Sequence, residues 1–160
     1  LRVIEGDVVI QLCNDHNKAI DIDARYGYVS FDGSVSELKP LKLTAEPRSR
    51  KYILREKLPE YDYRKGTLVV IPEHTIEPAS LYTMEFKKLE VPKAEVKITG
   101  CVQDGENVRL TVSSDVYAHH VTIWGDYKFS DNYFNMLPGE TREIVAYNAN
   151  VREWKVTSIC

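Results

Sequence analysis

The strongest constraint on this chain is an alternation. In "IDIDARYGY", residues 20–28, Ile20, Ile22, Ala24, Tyr26 and Tyr28 share one parity, and Asp21, Asp23, Arg25 and Gly27 share the other. Successive side chains of a strand point to opposite faces, so a period of two builds a half-buried strand. The pattern recurs. Val8, Ile10 and Leu12 share a face in "VVIQLC" (8–13), "LKLTA" (41–45) repeats it, and "KYILREK" (51–57) and "LVVI" (68–71) read as core strands. "LYTMEFKKL" (81–89) aligns Tyr82, Met84 and Phe86, which predicts another strand. The signature continues in "AEVKITG" (94–100), "NVRLTVSS" (107–114), "YAHHVTIWG" (117–125), "TREIVAYN" (141–148) and "REWKVTSI" (152–159). Turn chemistry separates these runs at "NDHN" (14–17), "FDG" (31–33), "LPEYD" (58–62), "EHTIEPAS" (73–80) and "QDGEN" (103–107). No window sustains an i, i+3, i+4, i+7 apolar stripe over three turns. About eleven short strands without a helix predict an all-β chain of antiparallel immunoglobulin-like β-sandwiches.

A seam falls in "KKLEVPKAEVKI" (87–98). A strand ends there in charged residues, Pro92 lacks the N–H that a ladder needs, and a fresh alternation starts at Ala94. Two consecutive sandwiches are expected, residues 1–92 and 93–160. A domain of roughly 60–70 residues buries only about 60% of its unfolded surface. The second sandwich is therefore expected to lean on a neighbour.

Composition removes several functions. Residues 1–93 carry 15 Lys and Arg against 15 Asp and Glu, and residues 94–160 carry 6 against 9. Neither part has the basic excess that a phosphate backbone requires, so no nucleic-acid partner is expected. "RSRK" (48–51) lies near Glu46 and Glu56 and reads as a solvated loop. The longest apolar run is "LVVI", which is too short for a bilayer, so no membrane partner is expected either. No leader is visible, and the chain opens without a Met, as a segment excised from a longer protein would. Cys13, Cys101 and Cys160 make no CxxC and no disulfide framework. Cys13 and Cys101 read as buried free thiols within strands.

Chemistry-bearing motifs are few. G-x-S-x-G, Walker A, G-x-G-x-x-G and H-E-x-x-H do not occur, and no cofactor is implied. Most of the carboxylates alternate outward on strands or sit in turns, as solvated charge does. His119-His120 invites a metal reading, but neighbours on a strand point apart, and His16 and His74 lie in distant turns. Zinc needs three or four converging ligands, so no metal site is expected. His119 shares parity with Val121 and Ile123 and reads as a core histidine, with His120 on the opposite face.

The densest cluster is "WGDYKFSDNYFNMLPGE" (124–140). Trp124, Asp131, Asn132 and Tyr133 combine a flat ring with amide and carboxylate groups, the pairing that recognises a sugar's C–H face and its hydroxyls. The favoured alternative is a mini-core. In that reading the loop folds over Trp124, Phe134, Met136 and Leu137 plug it, Asp131 or Asn132 makes an Asx turn, and Pro138-Gly139 centre a type II turn.

"FSDNYFNMLPGE" (129–140), preceded by "VTIWG", closely resembles a C-terminal segment of beta-mannosidases and related exo-acting members of glycoside hydrolase family 2. Family members read S-D-N-Y/F-F-D-L-L-P-G-E there, so Asn135 and Met136 are mild departures. "SLYTMEFKKLEVPKAEV" (80–96) is similar to the family's F-x-x-x-K-x-L-x-L-P-x-A-x-V run. The resemblance implies that this chain is the C-terminal pair of sandwiches in an enzyme whose two catalytic glutamates sit in a (β/α)8 barrel. A barrel needs roughly 200 or more residues of alternating strand and helix, which this chain lacks. The family's acid/base glutamate follows an asparagine, and no Asn-Glu dipeptide occurs here. No catalytic residue is therefore expected in this chain. The implied partners are the upstream barrel and sandwich domains of the parent, which would be periplasmic, secreted or lysosome-like.

Overall fold

In a computed structural model of the protein, residues 1–73, 78–151 and 153–159 are described. Residues 74–77 of the 73–80 turn, His74 among them, lie outside them with Arg152 and Cys160, so the expectations placed there are not followed further. The chain is all-β and its sheets are antiparallel, as Ig-like sandwiches require. It divides into two compact units, one of Leu1–Ser30 with Val35–Leu89 and one of Phe31–Ser34 with Glu90–Cys160.

The first unit has two sheets. One joins β1 (Arg2–Ile4), β2 (Asp7–Asn14) and β5 (Ser49–Lys57) in the order β1-β2-β5. The other joins β3 (Ile20–Ser30), β4 (Ser36–Ala45), β6 (Gly66–Pro72) and β7 (Ala79–Leu81) in the order β4-β3-β6-β7. The alternation seen in 20–28 sets the burial of β3: Ile22, Ala24, Tyr26 and Tyr28 go inward, and Asp21, Asp23 and Arg25 go outward. They meet Val8 and Ile10 of β2, Leu43 of β4, and Leu68 and Val70 of β6 in one core. Each Val, Leu or Ile among them contributes about 1.5–3 kcal/mol by its burial. Gly27 is required by close approach, because a Cβ there would lie 1.8 Å from the Glu37 carbonyl oxygen on β4.

Four expectations change here. "KYILREK" is an edge strand with mostly exposed side chains, because among the described residues β5 pairs only with β2. Arg50 and Lys51 of the basic run belong to that strand and not to a loop, although they stay solvated. The strand expected over 81–89 stops at Leu81, which pairs with Leu68. Two residues further on, β6 has reached its first residue, Gly66, and the chain has no ladder left to join. It continues to a single 3-10 turn at Phe86–Lys88, with Phe86 exposed. Cys13, expected to be buried, is exposed on β2, and Cys101 is half-buried.

The second unit repeats the plan. β8 (Lys97–Asp104), β9 (Asn107–Ser113), β11 (Lys128–Phe129) and β13 (Thr141–Tyr147) form a sheet in the order β11-β13-β9-β8. β10 (Ala118–Trp124), β12 (Phe134–Met136) and β14 (Lys155–Ile159) form the other, in the order β12-β10-β14. Val108, Leu110, Val112, Ile144 and Ala146 of the first sheet pack on Val121, Ile123, Phe134 and Met136 of the second.

Candidate functional site

The site expected at Trp124, Asp131, Asn132 and Tyr133 is shaped by an irregularity in β10. Ala118 pairs with Met136 and Val121 with Phe134, so His119 and His120 together oppose Asn135 alone. This is a β-bulge. His120 takes φ +53°, and its N–H donates to Asn135 Oδ1 at 2.9 Å. The bulge breaks the parity that was expected to place His119 beside Val121. Both histidines are half-buried instead, with ring centroids 6.1 Å apart. Burial lowers the His119 pKa, the neighbouring His120 lowers it further, and Asn135 opposes both weakly. Among the described residues no three His, Cys, Asp or Glu side chains come together as metal ligands.

Beyond the bulge Trp124 points outward. The residue is 55% exposed, its Nε1–H donates to Thr157 Oγ1 at 2.9 Å, and Lys155 Nζ stands 5.7 Å from the ring centroid. The 129–137 segment does not cover it, contrary to the favoured expectation. Phe134 and Met136 pair with the inward-facing positions of β10 and enter the main core, and Trp124 lies beyond their reach on the opposite face. The apolar residues of the loop are therefore a strand, β12, and not a plug.

Asn132 does not make an Asx turn. Its Oδ1 accepts the N–H of Ile123 at 2.8 Å and its Nδ2 donates to the Ile123 carbonyl at 3.0 Å, so one side chain mimics a neighbouring strand. The same Oδ1 also accepts the N–H of Tyr133 at 3.0 Å. Asp131 receives a hydrogen bond from Arg142 at 3.0 Å. Tyr133 sits at φ +64° and is 62% exposed, its ring 5.3 Å from that of His120. The turn that follows has Gly139 at φ +73° and a Glu140 N–H to Leu137 C=O bond of 3.0 Å, as a type II turn requires.

Of the four candidates, Asp131 and Asn132 spend their polar atoms on the loop, and Trp124 and Tyr133 remain presented to solvent. Trp124, Tyr127, Phe129, Asn132 and Tyr133 line one shallow cleft of about 270 Å³. No carboxylate lines it, so the cleft cannot supply the paired acid and base of glycoside hydrolysis. It can stack a ring and offer few hydrogen bonds.

Sequence reasoning missed the residue that organises this loop. Arg142 is largely buried. Its Nε and Nη2 donate to Glu140 Oε1 at 3.1 and 2.8 Å, and its guanidinium carbon lies 4.5 Å from the Phe134 ring centroid. The signal was the acidic and basic pair in "PGETRE", Glu140 at the end of the turn and Arg142 two residues on in β13.

The fold and this loop define a class: an immunoglobulin-like sandwich whose aromatic cleft has no hydrolytic pair. Residues 89–158 match the Ig_mannosidase family, an Ig-fold domain. The whole fold is similar to that in the crystal structure of Beta-D-Mannosidase from Dictyoglomus thermophilum, with a TM-score of 0.82 and 19% identity. The alignment covers 98% of this chain and 20% of that one, so this chain spans about one fifth of the enzyme it resembles. At that identity the likeness is one of fold. No curated protein sequence matches the chain.

Proposed function

We propose that this chain is the non-catalytic C-terminal pair of sandwiches of a beta-mannosidase-like enzyme of glycoside hydrolase family 2. The observation that carries this reading is the match of residues 89–158 to the mannosidase Ig-fold domain, within a chain that shares its fold almost throughout with one fifth of a beta-mannosidase. In this reading the parent removes terminal non-reducing β-D-mannose by a retaining mechanism. One glutamate is the nucleophile and another the acid/base, and both lie in a barrel outside this chain. The two sandwiches act as a scaffold packed on that barrel and on the upstream sandwich domains. The test is to express the barrel-containing remainder of the parent and this chain as separate polypeptides. Association that raises the barrel's thermal midpoint is expected. Two species that never associate would remove the scaffold role.

A second reading is favoured by one observation, the exposure of Trp124 and Tyr133 on a common cleft. It makes the second unit a carbohydrate-binding module in its own right. Titration with mannan oligosaccharides should then shift the tryptophan fluorescence, and Trp124→Ala should abolish the shift. A response that persists in that variant would refute the cleft as its origin.

A further inference from the structure

The long sheet edges of this chain are not alike. β4 and β5 each end a sheet of the first unit, and both carry the features that discourage pairing with another chain. β4 has Pro40, which lacks an N–H, among Glu37, Lys39 and Lys42. β5 has Arg50, Lys51, Arg55, Glu56 and Lys57. β8 ends a sheet of the second unit and has no such protection in its middle. It is eight residues long, pairs only with β9 among the described residues, and runs from Ile98 to Gln103 without a charge or a proline. Val102 within it is 63% exposed. An edge of this kind offers its backbone N–H and C=O groups to a further strand.

The register of β8 on β9 defines its two faces. Ile98, Cys101 and Gln103 stand opposite Val112, Leu110 and Val108, which belong to the core. Lys97, Gly100, Val102 and Asp104 stand opposite Ser113, Thr111, Arg109 and Asn107 on the outer face. Thr99 is the extra residue of a bulge between Ile98 and Gly100. In a regular strand Lys97 and Asp104 would lie on opposite faces, and the bulge brings them to the same one.

That pattern is complementary to itself. Residues directly opposite in an antiparallel pair share a face. A second β8, laid antiparallel with Cys101 opposite its counterpart, meets this condition along the whole strand if Thr99 bulges as it already does against β9. Val102 then falls opposite Gly100 of the copy, where no side chain obstructs it, and Gln103 falls opposite Ile98. Asp104 falls opposite Lys97, so both ends of the ladder close on opposite charges. Asp104 already holds Arg109, which holds Glu143 at 2.7 Å, and Lys97 lies 3.5 Å from Glu95. Each new pair would thus join two existing ones into a row of alternating charge. We propose that β8 is a self-association edge, through which two copies of this chain pair as an antiparallel ladder with two-fold symmetry. The proposal is independent of the function proposed above.

The test is sedimentation equilibrium of the full chain under reducing conditions, which remove cysteine-linked dimers. A monomer–dimer equilibrium with a Kd below about 1 mM is expected, weak as small interfaces are. Lys97→Glu and Asp104→Lys each set like charges opposite one another at both ends of the ladder. Each should weaken the dimer at least about fivefold. An equimolar mixture of the two variants should restore it, because every reversed charge then meets its opposite in the other copy. A substitution that only disturbed its own hairpin, through Arg109 for instance, would not be repaired by mixing. The proposal is overturned by a chain that stays monomeric up to ~1 mM, the result expected if a different polypeptide covers β8. A dimer that both single variants form as tightly as the unaltered chain, or a mixture no tighter than either variant alone, would overturn it equally.

Discussion

Asn132 holds Ile123 by both of its backbone groups, with the amide oxygen 2.8 Å from the N–H and the amide nitrogen 3.0 Å from the carbonyl. A side chain here does the work of a strand where β12 has not yet begun. Asn132→Ala should cost about 1–3 kcal/mol, because the Ile123 backbone groups lose their partner in a half-buried site. Asn132→Asp should be no better, since a carboxylate would face the Ile123 carbonyl without a donor. Urea unfolding midpoints check both.

Arg142 is the second support of the same loop. It joins Glu140, Asp131 and the face of Phe134 while remaining largely buried. Arg142→Ala should destabilise the chain by about 2–3 kcal/mol, in the range of a hydrogen bond to a charged partner. Arg142→Lys should recover only part of this, because a point charge cannot bridge both carboxylates with a planar fork. Thermal denaturation of the two variants measures the difference.

Gly27→Ala should be among the most damaging single changes to the first unit. The added methyl would meet the Glu37 carbonyl at 1.8 Å, and backbone cannot swing aside as a flexible side chain can. Separation of β3 from β4 should cost about 3 kcal/mol, the upper part of the usual range for overpacking. Hydrogen exchange should show the loss first at the β3–β4 ladder.

The pH response has a defined sign at two groups. His119 has its folded-state pKa lowered, by burial first and by His120 second. Unfolding therefore takes up a proton, and stability present above the ordinary histidine value of 6.5 is lost as pH falls through the folded value. His119→Gln should flatten the fall in thermal midpoint on acidification from neutral pH. Asp62 is held at about 2 by its hydrogen bond to Arg64. Its contribution is present above 3.8 and lost as pH falls through about 2. Carboxyl NMR titration should find that midpoint, and Arg64→Gln should move it toward 3.8.

Much of the fold could be read from parity alone. Ile22, Ala24, Tyr26 and Tyr28 face the core because their alternation runs unbroken along β3. Parity failed where a long-range partner decided the outcome. The run after Leu81 alternates as a strand does, yet β6 offers it no ladder. His119 and His120 follow the pattern on paper, and the bulge against Asn135 discards it. Phe134 and Met136 are apolar enough to cover a neighbour, but pairing with β10 sends them to the opposite face from Trp124.

The central claim, that these sandwiches serve a glycosidase without performing its chemistry, has one direct measurement. The purified chain is incubated with an aryl β-mannoside and aglycone release is followed. The account predicts no hydrolysis above the rate in buffer. Turnover that stays with the chain through purification and disappears on substituting one of its own glutamates would contradict it.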